Sequence, residues 1–67
     1  MYRFKDKEIM EIYNKEKVAN VIGIAPHTLR MIVLGKQLCS KLVAYCITKF
    51  LSNDKEISDY FDYVEKN

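Results

Sequence analysis

Residues 15–35 read KEKVANVIGIAPHTLRMIVLG, a stretch whose glycines and proline predict two short helices joined by a tight turn. Gly23 is placed to end a first helix over residues 15–22, since glycine is common just past a helix C-terminus. Pro26 suits the first position of a second helix over residues 26–34. We therefore expect two helices of about eight residues separated by a three-residue turn, as in a helix-turn-helix.

Two helices that cross steeply over so short a turn need particular residues at the crossing, and this stretch supplies them. Ala19 is small at the point where the second helix approaches the first. Gly23 permits the positive φ that the turn requires. Ile24 fills the space under the turn, while Leu29 and Ile32 are spaced to hold the second helix against its neighbours.

These positions resemble the helix-turn-helix of the Cro and phage-repressor family, which is also described as lambda repressor-like or XRE-type. The resemblance covers roughly residues 14–51, and the chain departs from the family at Ala25, where a Ser or Thr usually caps the second helix. It implies a small sequence-specific transcriptional regulator, of phage or mobile-element origin, that binds double-stranded DNA as a homodimer. The family's small residue, turn glycine, aliphatic plug, buried pair and final glycine stand here as Ala19, Gly23, Ile24, Leu29, Ile32 and Gly35.

One arc of the second motif helix is predicted to read base edges in the major groove. At 100° per residue, His27, Arg30, Met31 and Leu34 fall on the side opposite the buried positions. Arg30 offers a bidentate fork to guanine O6 and N7, and the Met31 thioether suits a thymine methyl. His27 offers one contact to a base edge or a phosphate, and Pro26 completes the set of expected base contacts.

A second set of polar residues is expected to hold DNA phosphates. These residues begin the first motif helix, lie on the second, or follow it in the loop that leads to the next helix. Such contacts supply affinity without sequence preference. The expected phosphate contacts are Lys15, Thr28, Lys36, Gln37 and Lys41.

The apolar character of the same arc supports an alternative function. Pro26, Met31 and Leu34 outnumber the polar residues there, and exposed apolar patches more often mark protein contacts. Under this alternative, the second motif helix docks on a protein partner, as in a phage-encoded inhibitor of a host factor or an antirepressor.

The rest of the chain predicts further short helices. Asp6 is a candidate cap for a helix over residues 6–13, Asn14 for the first motif helix, and Ser40 for a helix that reaches about residue 51. The expected fold is all-α, a compact four- to five-helix lambda repressor-like helix-turn-helix domain with the option of short β-strands at the termini. Residues 1–67 form one domain, with the helix-turn-helix at about 15–34.

The C-terminal segment, residues 55–67, fits two secondary structures. Its helical spacing of i, i+3, i+4 and i+7 predicts a fifth amphipathic helix. Residues 61–64 could equally form a strand, and Tyr2 and Phe4 alternate as a strand or arm would. The residues that carry the helical spacing are Ile57, Tyr60, Phe61 and Val64.

These four apolar residues have two possible roles. In small Cro-like proteins the segment after the fourth helix commonly builds the dimer contact, so the resemblance implies a dimer interface here. Closure of the protomer's own core is an equally good expectation. Helical spacing also predicts core positions for Val21, Tyr13 and Tyr45.

The composition of the chain indicates its fold class and the charge of its partners. A chain of 67 residues with 49% hydrophobic and 30% charged residues suits a single globular domain. Residues 15–49 hold six basic residues and one acidic residue, residues 50–67 two and five, and residues 1–14 three of each. A basic centre suits a polyanionic partner such as DNA.

The inventory of reactive residues argues against enzymatic activity. It offers no paired nucleophile and base, no phosphate-binding loop and no metal cluster, so we expect neither cofactor nor metal. If Cys39 and Cys46 both lie in or beside one helix, their Cα atoms are too far apart for a disulfide. Both are therefore expected to be reduced thiols. Cys39, in a loop beside Lys36 and Lys41, is a candidate for a lowered thiol pKa. The absence of a signal peptide or apolar span predicts a cytoplasmic protein without membrane contact.

Overall fold

The computed structural model describes residues 1–65, which form five helices and two short strands. The radius of gyration of 10.8 Å is close to the roughly 11 Å that a packed chain of this length should have. The elements, in chain order, are β1 (Tyr2–Phe4), α1 (Lys7–Met10), α2 (Lys15–Ile22), α3 (Pro26–Val33), α4 (Lys41–Leu51), α5 (Ile57–Tyr60) and β2 (Phe61–Tyr63).

The three long helices begin at the residues that the sequence predicts. The Asn14 side chain accepts hydrogen bonds from the backbone N–H groups of Glu16 and Lys17, at 3.0 and 3.2 Å. The Ser40 hydroxyl accepts one from Val43 N–H at 3.3 Å. Each bond satisfies an N–H group that has no partner inside its helix. Local capping therefore fixes where α2 and α4 start.

The first helix is shorter than predicted. α1 covers Lys7–Met10 instead of residues 6–13, and Asp6 precedes it without a side-chain capping bond. Beyond it, i→i+3 turns follow, in which Tyr13 N–H donates to Met10 C=O at 3.2 Å. Asn14 must adopt extended backbone, φ −76° and ψ 111°, in order to cap α2. The chain has to leave the helical conformation before that residue.

The fold is not purely helical, because the termini pair as a two-stranded antiparallel sheet. Tyr2 lies opposite Tyr63, and Phe4 opposite Phe61. Each pair of rings meets edge to face, with centroids 5.4 Å and 5.1 Å apart respectively. Aromatic pairs in this geometry contribute about 0.5–1.5 kcal/mol beyond their burial. The sheet joins the two ends of the chain beside α3 and α4.

The same pairing corrects the single helix predicted for residues 57–64. α5 is one turn long, and Phe61 then takes extended backbone, φ −132° and ψ 148°. Lys5 N–H donates to Tyr60 C=O at 2.9 Å, and Val64 N–H donates to Met1 C=O at 2.8 Å. Strand partners from the N-terminus therefore replace the hydrogen bonds that a longer helix would have made.

The core lies between the helices and the inner face of the sheet. It includes a polar residue, Thr48, whose hydroxyl donates to Ala44 C=O at 2.8 Å and so is satisfied inside α4. The core positions predicted for Val21 and Tyr45 are wrong, since these side chains are 68% and 51% exposed respectively. The buried hydrophobic residues are Phe4, Met10, Val18, Ala19, Leu29, Ile32, Val33, Cys39, Ala44, Ile47, Tyr60 and Phe61.

Replacing Asn14 with Ala should destabilise the protein by about 1 kcal/mol, because two backbone N–H groups lose their acceptor. For a domain of this size, that corresponds to a fall of about 4–8 °C in Tm. The matched control is Asn20→Ala, which changes an exposed Asn in the middle of the same helix. Thermal unfolding followed by circular dichroism compares the two variants, and equal Tm values would contradict the capping role.

Candidate nucleic-acid interface

The turn between α2 and α3 has the geometry that the sequence predicts. Gly23 has φ 93°, in the left-handed region that glycine adopts without strain. Its N–H and that of Ile24 both donate to Ala19 C=O, at 2.8 and 3.0 Å. A Cβ at Gly23 would meet no atom within 4 Å, so backbone conformation alone requires glycine there.

One side of α3 is fixed firmly in the core. Leu29 is fully buried, and Ile32 and Val33 are 2% and 3% exposed. Ala19 of α2 is also fully buried, and its small side chain lets α2 and α3 approach each other closely. The predicted inner stripe is confirmed, and it determines which side of α3 faces outward.

The outward side carries the residues predicted to contact bases. Pro26, His27 and Arg30 are exposed, while Met31 is half-buried. Leu34, just past the end of the helix, is 48% exposed. One face of an eight-residue helix therefore presents a guanidinium and an imidazole among apolar side chains.

The start of α3 lacks a side-chain cap, as expected from Ala25. Leu29 N–H donates to Ala25 C=O at 3.0 Å, and Pro26 occupies the first helical position. Thr28, in the first turn, is half-buried. The backbone N–H groups of this turn carry partial positive charge, which favours an anion outside them.

The loop after α3 holds two of the predicted phosphate contacts close to the helix. The N–H groups of Lys36 and Gln37 both donate to Met31 C=O, at 3.0 and 3.2 Å. Gly35, with φ 77°, makes this reversal possible. Both side chains are exposed, and these backbone hydrogen bonds hold the two residues beside the last turn of α3.

Besides Thr28, the two remaining predicted phosphate contacts lie at the starts of helices. Lys41 is the first residue of α4 and is exposed. Lys15 is the first residue of α2 and is half-buried. Lys15 therefore lies at the start of α2, and Lys41 lies in the helix that follows the loop after α3.

The structure also brings two basic residues to this region that sequence reasoning missed. Arg3 and Lys5 line a groove with Leu34 and Gly35 at the end of α3. Their segment has equal numbers of acidic and basic residues, so the charge distribution along the chain gives no signal. Only the pairing of β1 with β2, which fixes the N-terminus beside α3, reveals them.

Two of the four residues predicted for a dimer interface are buried inside the protomer. Tyr60 is 7% and Phe61 1% exposed, and both belong to the core. Ile57 and Val64 are half-buried. This arrangement matches the second expectation for the segment, closure of the protomer's own core. Large exposed apolar side chains lie elsewhere, among them Val21, Leu42, Tyr45 and Tyr63.

Cys39 is a buried structural residue, and the expectation of a lowered pKa is wrong. It is 4% exposed and exchanges backbone hydrogen bonds of 2.8 and 2.9 Å with Tyr2. Burial raises the pKa of the Cys39 thiol from 9.0 to about 11, because the thiolate would lose its hydration. Cys46 is half-buried in a groove that Val21 and Tyr45 also line. Both cysteines are free thiols.

The raised pKa predicts a stability that falls in alkaline solution. Above pH 9 the Cys39 thiol ionises in the unfolded chain while it stays protonated in the folded protein, so the free energy of unfolding declines between about pH 9 and 11. Urea unfolding at several pH values in this range should show a smaller decline for Cys39→Ala than for the wild type. Cys46→Ala, which keeps Cys39, should decline as the wild type does, and identical slopes for all three proteins would contradict the burial effect.

Other features of the described residues bear on metal binding, membrane insertion and ligand binding. Within residues 1–65, no three side chains of the His, Cys, Asp and Glu types are grouped as a metal ion requires. None of the helices in that part of the chain has the length and apolar character needed to cross a membrane. A separate aromatic groove of about 420 Å³ runs between α4 and the sheet, with Tyr2, Tyr45 and Tyr63 in its lining.

Compared with known proteins, the chain matches no family model, no curated protein and no solved structure. The resemblance to the Cro and phage-repressor family therefore depends on the motif residues and their spacing.

Proposed function

We propose that this protein is a small sequence-specific DNA-binding transcriptional regulator, with a Cro-like or repressor role, that inserts α3 into the major groove of duplex DNA. The observation that carries the proposal is the division of α3 into two faces. Leu29, Ile32 and Val33 hold one face in the core, while His27 and Arg30 are exposed on the other. A major groove about 12 Å wide admits one helix presented in this way.

Sequence preference would come chiefly from Arg30. Its guanidinium can donate two parallel hydrogen bonds to guanine O6 and N7, a pattern that no other base presents in the major groove. Met31 is half-buried, and its thioether suits apolar contact with a thymine methyl. His27 and Pro26, in the first turn, lie at the end of the helix that usually reaches base edges in helix-turn-helix proteins.

Affinity would come from the residues around α3. Lys36 and Gln37 are held beside its last turn by their bonds to Met31 C=O. Thr28 lies in its uncapped first turn, where backbone N–H groups favour a phosphate. Lys15 and Lys41 would add contacts to neighbouring phosphates. These electrostatic contacts act on any sequence and weaken as salt rises.

The proposal includes a homodimer on a pseudo-palindromic site. Two copies of α3 would then enter successive major grooves about 34 Å apart on one side of the duplex. A chain of this size rarely gains more than about 3–5 kcal/mol from its own core, so association would also stabilise it. Ile57 and Val64 are the half-buried members of the predicted contact that could still reach a second copy.

Lys36→Ala should weaken binding to all duplexes alike and lower the slope of log K against log salt by about one unit. The measurement is fluorescence anisotropy with a labelled duplex across a range of salt concentrations. Lys55→Ala is the charge-matched control, since Lys55 is exposed in the loop before α5 and far along the chain from the motif. A slope that is unchanged in Lys36→Ala would contradict the placement of the loop after α3 against phosphate.

The exposed apolar residues of the same face favour a second candidate function. Leu34 is 48% exposed just past the end of α3, on the side of the helix that also carries Pro26 and Met31. This apolar surface suits docking on a protein partner such as a host factor. This function predicts duplex binding that stays weak and blind to sequence even at low salt. It also predicts a stable complex with a purified protein partner that Leu34→Ser disrupts while leaving Tm unchanged.

A further inference from the structure

A basic groove lies where the N-terminal strand packs beside the end of α3. It has a volume of about 430 Å³. Both charged residues in its lining are basic, and both belong to β1 or the residue after it. The lining residues are Arg3, Phe4, Lys5, Val33, Leu34 and Gly35.

Strand alternation turns Arg3 toward solvent at this place. Phe4 is 3% exposed and packs against the Phe61 ring on the inner face of the sheet. Because successive side chains of a strand point to opposite faces, Arg3 lies on the outer face with Lys5 and with Asp62 of β2. Arg3 is exposed there.

Arg3 also lies against the loop that carries Lys36. A Cβ placed on Gly35 would be 4.0 Å from Cγ of Arg3 and 3.9 Å from the backbone oxygen of Phe4. Gly35 immediately precedes Lys36, whose N–H is bonded to the last turn of α3. The strand and the loop therefore place the Arg3 side chain beside Gly35, the residue before Lys36, at one end of the helix.

The nearby acidic residue does not neutralise Arg3 by direct contact. Asp62 is the register partner of Arg3 across the sheet, but its carboxylate pairs with Lys5 Nζ at 3.3 Å. Within the part of the chain that the structure describes, that is the one salt bridge shorter than 4 Å. The five guanidinium donors of Arg3 stay available to an external anion.

We propose that Arg3 binds a phosphate of the DNA backbone at the C-terminal end of α3, so that the phosphate-binding surface of Lys36 and Gln37 extends onto β1. The inference rests on the proposed function. A guanidinium matches two phosphate oxygens with parallel N–H donors, which an ammonium cannot do. Gly35 has no side chain that would occupy the groove beside Arg3. Arg3 is a positioning residue in this scheme, because a phosphate contact fixes orientation and carries no base preference.

The test is the salt dependence of duplex binding by Arg3→Ala. One lost phosphate contact should lower the slope of log K against log salt by about one unit, which amounts to about a tenfold loss of affinity at 0.1 M salt. Matched and mismatched duplexes should lose affinity equally. Tm should stay close to the wild-type value, since Arg3 is exposed and makes no ion pair within the described residues.

Two further variants separate a phosphate contact from a structural role. Arg3→Lys keeps the charge and should restore the wild-type slope. Asp62→Asn removes the acid that pairs with Lys5 and should strengthen binding about two- to fivefold, the range of an exposed ion pair. If Arg3→Ala binds duplex with the wild-type slope and affinity, the inference is overturned and the proposed function stands. If the wild-type protein binds no duplex at low salt, both are overturned.

Discussion

Arg30→Ala should weaken binding to the preferred duplex by about 1–3 kcal/mol, which is about 5- to 150-fold, and should relax preference at one base pair. The reason is geometric. Three buried residues on its inner side hold α3 in place. The backbone of Arg30 therefore has a fixed position, from which the exposed side chain can reach guanine. Removing the fork removes two directed hydrogen bonds and one positive charge.

The matched variant Arg30→Lys separates these two losses. Lysine keeps the charge but cannot form the bidentate fork, so the salt slope should persist while discrimination at that base pair falls. Competition binding with duplexes changed at single base pairs measures both effects. Equal affinity and unchanged discrimination in Arg30→Ala would show that α3 does not enter the groove by this face.

Leu29→Ala should cost about 2–5 kcal/mol of folding free energy, because it leaves a cavity in the core between α3 and its neighbours. That loss is comparable with the whole stability expected of so small a core, so the variant should be largely unfolded at room temperature. Leu29 is fully buried and belongs to the stripe that seats α3. DNA binding should be lost with the fold.

Val21→Ala is the control for this effect, since Val21 lies on adjacent α2 and is 68% exposed. Exposed substitutions away from special features usually change stability by less than about 0.5 kcal/mol. Urea unfolding followed by circular dichroism compares the two variants. Wild-type stability in Leu29→Ala would contradict the seating of α3 described above.

The middle of the fold could be predicted because its signals are local. Asn14 and Ser40 cap helices within three residues of themselves, and Pro26 sets the first residue of α3. Gly23 supplies the positive φ of the turn. Each of these effects depends on a few neighbouring residues, so α2, α3 and α4 begin where the sequence indicates.

The ends of the chain could not be assigned in the same way. Residues 57–64 fit a helix by spacing and a strand by alternation, and the choice is made by β1, nearly the whole chain length away. Contact with Tyr2 and Phe4 decides it, which no local pattern reveals. The α1 prediction was too long for a related reason, since Asn14 needs extended backbone to cap α2.

Helical spacing identified apolar faces but not whether they are covered. Tyr45 on α4 and Val21 on α2 follow core spacing, yet both line an open groove. Arg3 shows the same limit for the candidate site. Its segment has no net charge, and its place beside Gly35 depends on sheet pairing at the termini.

Sequence-specific DNA recognition by α3 can be tested by selection from a random duplex library at about 0.15 M salt. Sequencing of the retained pool should show a palindrome whose half-sites are about 10 base pairs apart, centre to centre. The same selection with Arg30→Ala should lose preference at one position in each half-site. A retained pool that stays random, with binding that disappears as salt rises, would contradict the claim and direct attention to a protein partner of α3.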